Sequence, residues 1–287
     1  MPKKCAWAVV LTSENNYLKG IVVLQYVLSK VLASKYPLLV LYTPNVQPAI
    51  VEKLTSVGCL TRPIDPIVPP GPIEYSHERF RNTWTKLAVW DQEDYDRLVM
   101  VDADMLPLAN MDELMTLEFP QKTWVAASHA CTCNPQQMKK YPADWIPSNC
   151  EYTFLTTTQL ERQVPRHYFN SGLIVLRPDR SVFRRMIDRL FKVGDLNGYI
   201  FPDQDFLNEE FFDQWTELPY IYNALKPMSM CHAKLWNLDA IKNIHYILSK
   251  PWDVDWNNKT EQAEYYPLYK KWVETYDEAR AFYRWSP

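Results

Sequence analysis

Over its first hundred residues the chain alternates apolar, strand-like runs with amphipathic, helix-like ones, and this rhythm limits the fold more than any other feature. Cys5 to Leu11 is a continuous apolar run that reads as a buried strand. Tyr17 to Ser34 reads as a helix, with Ile21, Leu24, Leu28 and Leu32 roughly on one face. Leu38 to Tyr42 is a second strand, and Pro48 to Val57 a helix stopped by Gly58. Cys59 to Ile64 is a short strand, followed by the Pro-rich loop Pro66 to Pro72; Thr83 to Asp91 then reads as helical. Strands that alternate with helices predict an α/β, Rossmann-like fold, a mainly parallel mixed sheet flanked by helices. Ligands of such sheets bind beyond the carboxyl ends of the strands.

One strand end carries two carboxylates. Leu98 to Val101 is apolar and reads as buried, and Asp102 and Asp104 follow it around Ala103. In extended backbone, residues two apart point to the same side. Both carboxylates would then face one small volume, where they repel unless a positive charge lies between them. Hard oxygen ligands in a partly open site suit Mn²⁺ or Mg²⁺, ions that also hold substrate phosphates. Taken alone, the motif is weak, because a turn or a capped helix start explains most such pairs.

Farther along, Trp124 to His129 and Gly172 to Leu176 read as strands, and Asp179 to Val193 as an amphipathic helix. Cys131 to Arg166 has no clear period, and a stretch of that length is usually a functional loop or disorder. Tyr265, Tyr269, Trp272 and Tyr276 fall on one helical face, as expected of a helix docked on the domain. No apolar run reaches membrane-spanning length, and a formal net charge of -3 gives no basic surplus for nucleic acid. Six cysteines in 287 residues fit reduced thiols, so a cytoplasmic protein is the default. The sequence leaves a homo-oligomer open.

Several segments together resemble family 8 retaining glycosyltransferases, with glycogenin and plant galactinol synthase as the relatives in view. They are Leu11 to Gly20, Thr85-Lys86-Leu87, Asp102-Ala103-Asp104, Phe169-Asn170-Ser171-Gly172, Asp203 to Asn208, Tyr222-Asn223 and His245 to Trp252, in that order. The resemblance runs from about Ala6 to Trp252. It implies one nucleotide-sugar transferase domain of the A type over residues 1–287, with a loop insertion at about 130–168 and a C-terminal helical extension at about 255–287.

The resemblance further implies a UDP-sugar donor, a hydroxyl acceptor and Mn²⁺, with Mg²⁺ as an alternative. Leu11, Ser13 and Tyr17 would hold uridine. Asp102, Asp104 and His245 would ligate the metal, with Ala103 between the carboxylates in the donor site. Lys86 and Lys250 would meet the donor or its diphosphate. Asn170, Ser171, Asp203 and Gln204 would surround the transferred sugar, and Asp203, Gln204 and Lys250 would take part in catalysis. Each residue also has a plain structural reading: His245 as a core histidine, Lys86 as a solvated helix lysine, Asn170 to Gly172 as a turn, and Asp203 as a helix N-cap after Pro202. A non-catalytic nucleotide-sugar or glycan-binding relative is the alternative of a different class.

The sequence also departs from glycogenin. The stretch Leu225 to His232, where the self-glucosylated tyrosine would fall, contains no tyrosine, and Met230 stands at about that place. The long Cys131 to Tyr168 loop leans toward galactinol synthase. The acceptor therefore stays open among a polyol such as myo-inositol, a glycan and a secondary metabolite, and the hexose between glucose and galactose. His129, Cys131, Cys133 and Cys150 are ligand types for zinc, but Cys-x-Cys is tighter than the usual spacing, and ordinary buried thiols are the simpler reading.

Overall fold

The computed structural model describes residues 4–13, 16–75, 78–155, 167–256 and 263–285. Its centre is a seven-stranded sheet in the order β3-β2-β1-β4-β7-β6-β8. The strands are β1 (Cys5–Leu11), β2 (Leu38–Tyr42), β3 (Leu60–Pro63), β4 (Arg97–Val101), β6 (Val125–His129), β7 (Phe169–Leu176) and β8 (Trp215–Glu217). All neighbouring pairs are parallel except the two made by β7, which runs antiparallel to β4 and β6. The expected mainly parallel, mixed α/β sheet is therefore present.

Alternation along each strand divides the core in two. Trp7, Val9, Leu11, Val99, Val101, Leu173 and Val175 face one layer, where α1 (Tyr17–Tyr26) packs Ile21, Val22 and Leu24. Ala6, Ala8, Leu98, Met100, Ile174 and Leu176 face the other layer. That second layer is covered by α4 (Arg180–Lys192) through Val182, Met186 and Leu190, and by α5 (Pro202–Glu210) through Phe206 and Leu207. Asp179 caps α4, its carboxylate accepting from the Ser181 and Val182 backbone N–H groups. The remaining helices are α2 (Pro48–Ser56), α3 (Glu151–Phe154), α6 (Met228–Cys231) and α7 (Tyr266–Tyr283).

Two helical expectations change in detail. The Tyr17 to Ser34 helix is α-helical only to Tyr26; Val27–Val31 forms a wider π turn, in which Leu32 N–H donates to Val27 O at 2.8 Å. Val23 and Val27 pack on the C-terminal region, while Leu32, beyond the π turn, is only partly buried. Thr83 to Asp91 belongs to a 3₁₀ run spanning Glu78–Asp91. Trp84, Leu87 and Trp90 lie three apart, so in a 3₁₀ helix they eclipse in one row, and all three are buried. Trp84 meets Phe206 edge-on at 5.9 Å, and Trp90 stacks on Phe211 at 5.8 Å. The aromatic row faces the core and turns Lys86 toward the rim of the sheet.

A second sheet has the order β5-β10-β9, from Met105–Pro107, Asn243–His245 and Ala224–Leu225. It is backed by α7, whose Tyr269, Trp272 and Tyr276 are buried together with Tyr265, as the helical-face pattern predicts. Over residues 130–168 the described part is mostly irregular, with a 3₁₀ turn at Pro147–Asn149 and α3; residues 156–166 lie outside the described residues. Among the described residues no helix is long and apolar enough to cross a membrane.

Candidate active site

The two carboxylates converge, but through a turn and not through extended backbone. Asp102 to Asp104 link β4 to β5 as a tight turn. Asp102 N–H donates to Gly172 O at 2.8 Å, and Tyr246 N–H donates to Asp104 O at 2.8 Å, which fixes both ends of the turn. Gly20 of α1 lets the turn approach the helix: a Cβ there would lie 1.9 Å from Ala103 O. No side chain fits at that distance, which gives the glycine a steric reason.

The second sheet delivers the histidine. β10 pairs antiparallel with β5, setting His245 opposite Met105, the residue next to Asp104. The His245 Nε2 atom lies 3.3 Å from Asp104 Oδ1 and 3.9 Å from Asp102 Oδ2. Gly172 makes room for the ring; a Cβ there would come within 2.3 Å of His245 Cε1.

A chain of hydrogen bonds fixes how the ring presents itself. Gly172 N–H donates to Asn170 Oδ1 at 3.0 Å, which orients the Asn170 amide. Asn223 Nδ2 also donates to Asn170 Oδ1, at 2.9 Å, so the Asn223 Oδ1 atom is left to accept from His245 Nδ1 at 2.9 Å. Nδ1 is thus the ring atom that donates to Asn223, and Nε2 is the atom turned to the carboxylates, the orientation a metal ligand needs. In the other direction, Asn170 Nδ2 donates to Gln204 Oε1 at 2.7 Å, and Gln204 Nε2 donates to Tyr168 OH at 2.9 Å. Tyr168 OH donates to Asp205. Both ends of the Gln204 amide are therefore engaged, and Ser171 N–H adds a second donor to its oxygen at 3.2 Å.

The antiparallel β7 is why Asn170 and Ser171 reach this place. Because it runs backwards, its amino end lies beside the carboxyl end of β4, with Leu173 opposite Val101. Asp203 is not a helix cap; Phe201 holds that position, and Asp203 lies in the first turn of α5. Its carboxylate instead accepts from Lys86 Nζ at 3.1 Å and from Ser171 Oγ at 3.0 Å. Lys86 also pairs with Asp102 at 2.7 Å, so it is not a solvated lysine. Lys250 pairs with Asp104 and donates to Tyr246 O at 3.0 Å.

The electrostatics follow from this pairing. Burial raises the pKa of Asp102 above the ordinary carboxylate value, with Lys86 offsetting it only in part. Burial also works against ionised Asp104, but Lys250 and His245 outweigh it and hold its carboxyl well below that value. Burial opposes the charge on Lys86 too, yet Asp102 and Asp203 outweigh it and raise its pKa. The two acids thus have unequal environments within one group.

The residues singled out for the donor, the metal and catalysis line one cavity of about 680 Å³ at the rim of the sheet: Leu11, Ser13, Tyr17, Lys86, Asp102, Ala103, Asp104, Asn170, Ser171, Asp203, Gln204, His245 and Lys250. That size is ordinary for a small-molecule site. The opposite wall comes from the segment after β6 and from the strand β9 region, including Met138, Tyr141, Trp145, Leu225 and Pro227. Trp252 packs edge-on against Tyr17 at 5.1 Å and against Trp272 at 5.3 Å, tying the Lys250 loop to the body.

Three contributors were missed from the sequence as individual residues. Asn223 and Tyr168 belong to the amide chain, and a polar residue in a buried segment was the only available signal. Lys226 is 1% exposed and donates to Ser249 O at 3.0 Å, Ser249 Oγ at 2.8 Å and Tyr269 OH, fixing the residue before Lys250. Burial lowers its pKa to about 7. His129, the histidine weighed beside the thiols in the sequence, is not with them. His129 packs on Trp215 at 4.9 Å, with Nε2 3.5 Å from Glu217. The histidine among Cys131, Cys133 and Cys150 is His232.

This α/β fold, with an acidic turn and a histidine at the carboxyl rim of its sheet, defines a nucleotide-sugar-dependent glycosyltransferase of the A type. Residues 8–255 match the model of glycosyl transferase family 8, and the chain belongs to that family, the retaining transferases that use UDP-sugars. The chain is 29% identical to galactinol synthase 7 of Arabidopsis thaliana, over 100% of its own length and 86% of that protein. It is 30% identical to galactinol synthase 1 of Solanum lycopersicum, over 96% of its length and 82% of that protein. Among solved structures, the galactosyltransferase LgtC in complex with donor and acceptor sugar analogues has a TM-score of 0.60 at 16% identity, over 94% of this chain and 95% of that one. The bifunctional glycosyltransferase WbbM has a TM-score of 0.64 at 18% identity; this chain spans 96% of itself but half of that protein.

Proposed function

We propose that this enzyme moves a galactosyl or glucosyl group from its UDP donor to a hydroxyl of a small polyol of the myo-inositol class, with a bound divalent ion. The observation that carries the proposal is the convergence of Asp102, Asp104 and His245, flanked by Lys86 and Lys250, in a chain similar along its whole length to galactinol synthases. Two carboxylates and a neutral imidazole make a reasonable donor set for Mn²⁺, and Mg²⁺ is the second choice. When bound, such an ion polarises the diphosphate and neutralises the leaving UDP. Lys86 and Lys250 add positive charge at the same place, where a pre-arranged field lowers the barrier most. Leu11, Ser13 and Tyr17 would hold the uridine, and Asn170, Ser171, Asp203 and Gln204 would surround the sugar.

In the transfer, the acceptor oxygen forms a bond to the anomeric carbon as its bond to the diphosphate oxygen breaks. The acceptor proton leaves with the departing UDP. Same-face attack is favoured over a covalent route, because Gln204 is a poor nucleophile and Asp203 is held by Lys86 and Ser171. Asp203 then orients the acceptor or stabilises charge. None of the six cysteines is in a disulfide, which fits a cytosolic setting.

The test is product formation from UDP-galactose and UDP-glucose with and without myo-inositol and Mn²⁺. A hexosyl-inositol that appears only with both additions is the expected result; donor binding with no transfer to any polyol, glycan or water would favour the non-catalytic reading. Intact mass should stay unchanged after incubation with donor and Mn²⁺, because Leu225 to His232 offers no tyrosine. A ladder of hexose additions would restore a glycogenin-like role.

Asn223 supplies a second check. Asn223→Leu removes the acceptor that holds the His245 tautomer, and loss of such an outer partner costs roughly 10–100-fold in metal affinity. Titration calorimetry of Mn²⁺ into the UDP complex reads this directly. Unchanged affinity in a variant with an intact thermal melt would remove His245 from the ligand set.

A further inference from the structure

We propose that Cys131, Cys133, Cys150 and His232 bind one structural Zn²⁺ ion, which clips the insertion onto the segment that follows β9. The four ligand atoms lie within 4.8 Å of one another. His232 Nε2 is 3.4 Å from Cys131 Sγ, 3.2 Å from Cys133 Sγ and 3.4 Å from Cys150 Sγ. Cys150 Sγ and Cys131 Sγ are 4.0 Å apart. A zinc tetrahedron with Zn–S of about 2.3 Å and Zn–N of about 2.0 Å has sulfur–sulfur edges of about 3.8 Å and sulfur–nitrogen edges of about 3.5 Å. The observed separations match both kinds of edge without rearrangement.

The competing explanations fit less well. A disulfide needs sulfurs about 2.05 Å apart. The separations of 4.0 Å from Cys131 to Cys150 and 3.7 Å from Cys131 to Cys231 are far beyond that. Ordinary buried thiols have no reason to gather on one imidazole, because S–H is a weak donor and a single Nε2 cannot serve three of them. Cys231 is close, with its Sγ 3.7 Å from Cys131 Sγ, but it stands outside the four residues whose ligand atoms all lie within 4.8 Å of one another, and its Sγ lies 3.2 Å from Pro227 O.

Four protein ligands close the coordination sphere, so the ion has no open position for water or substrate, and its role is structural. The two chain segments it joins are about a hundred residues apart in sequence. Both also line the cavity, through Cys131 on one side and Leu225 and Pro227 on the other. The clip would therefore set the wall opposite the acidic turn, where an acceptor enters. It shares no ligand with the Asp102, Asp104 and His245 group, and the proposal stands whatever the acceptor is.

The experiment measures metal content of the full-length protein by inductively coupled plasma mass spectrometry, after purification without a metal column and dialysis against EDTA. One zinc per chain is expected in the wild type. Asp104→Asn should keep it, which separates this site from the acidic one. Cys150→Ser and His232→Ala should each lose it. Should those variants fail to fold, thiol modification of the wild type with a mercurial should release one zinc into a colorimetric indicator as the four ligands react. A folded wild type that carries no zinc and alkylates without releasing any, zinc that persists in the folded variants, or a Cys131–Cys231 disulfide in the fresh protein would each overturn the proposal.

Discussion

Asp104→Asn is expected to lower metal-dependent transfer by on the order of 10³-fold. The change keeps the shape of the side chain and removes one anionic ligand. Asp104 is 3% exposed and lies between His245 Nε2 and Lys250, so no neighbouring water takes over its charge. A metal acting on the leaving group supplies several kcal/mol of stabilisation, and each 1.36 kcal/mol is tenfold in rate, which gives about three decades. Lys250 would also lose its counter-ion, which adds to the loss. The measurement is turnover against Mn²⁺ concentration with a UDP-hexose donor. Wild-type rates at limiting Mn²⁺ would show the assignment of the acidic pair to be wrong.

The second large effect belongs to Asp203→Asn. Its carboxylate holds Lys86 and Ser171, and Lys86 in turn holds Asp102. Asparagine keeps the volume but removes the charge that turns Lys86 toward the sugar side. Turnover should fall by about 10²–10³-fold, the range seen when one pre-arranged polar group is lost, while UDP affinity stays within a few-fold. Such a split marks an interaction made mainly in the transition state. Single-turnover rates beside a UDP binding isotherm separate the two. Full activity in the variant would take Asp203 out of the chemistry, and a collapse of UDP binding would recast it as a donor-binding group.

Much of this arrangement was legible in the sequence because it is built from local patterns. The apolar runs of β1, β2 and β4 and the spacing of Asp102 and Asp104 need only short windows. The fold class follows from the alternation. What escaped was decided at long range. The reversal of β7 depends on which strand it neighbours, and nothing in Gly172 to Leu176 records direction. The π turn after Tyr26 and the 3₁₀ run through Trp84, Leu87 and Trp90 arise from packing partners supplied by α5, α7 and the region around Phe211. His232 could not be chosen over His129, because the nearer histidine in sequence is the farther one in space.

The acidic turn was expected to work by alternation along extended backbone, and it works instead by a turn clamped by Gly20, Gly172 and β10. The outcome is the same convergence, reached by a different cause. Lys86 departs most clearly from its plain structural reading, since it is paired with Asp102 and Asp203 and not solvated. His245 is a buried histidine, as its plain reading has it, and it also lies 3.3 Å from Asp104.

The division of the molecule into two sheets has a consequence for how the chain matures. All seven strands of the main sheet are encoded by Glu217, so the platform can assemble before the rest of the chain is made. At that stage Lys86 is already in place to neutralise Asp102. Asp104 has no such early companion, since both groups that face it, His245 and Lys250, come near the end. A nascent chain that formed the sheet first would hold one uncompensated carboxylate at its rim. Docking of β9, β10 and the Lys250 loop supplies the missing cation and encloses the cavity together. In that order the surroundings of Asp104 would be complete only once the tail has folded back, and a product truncated before Lys250 would lack the lysine that pairs with Asp104.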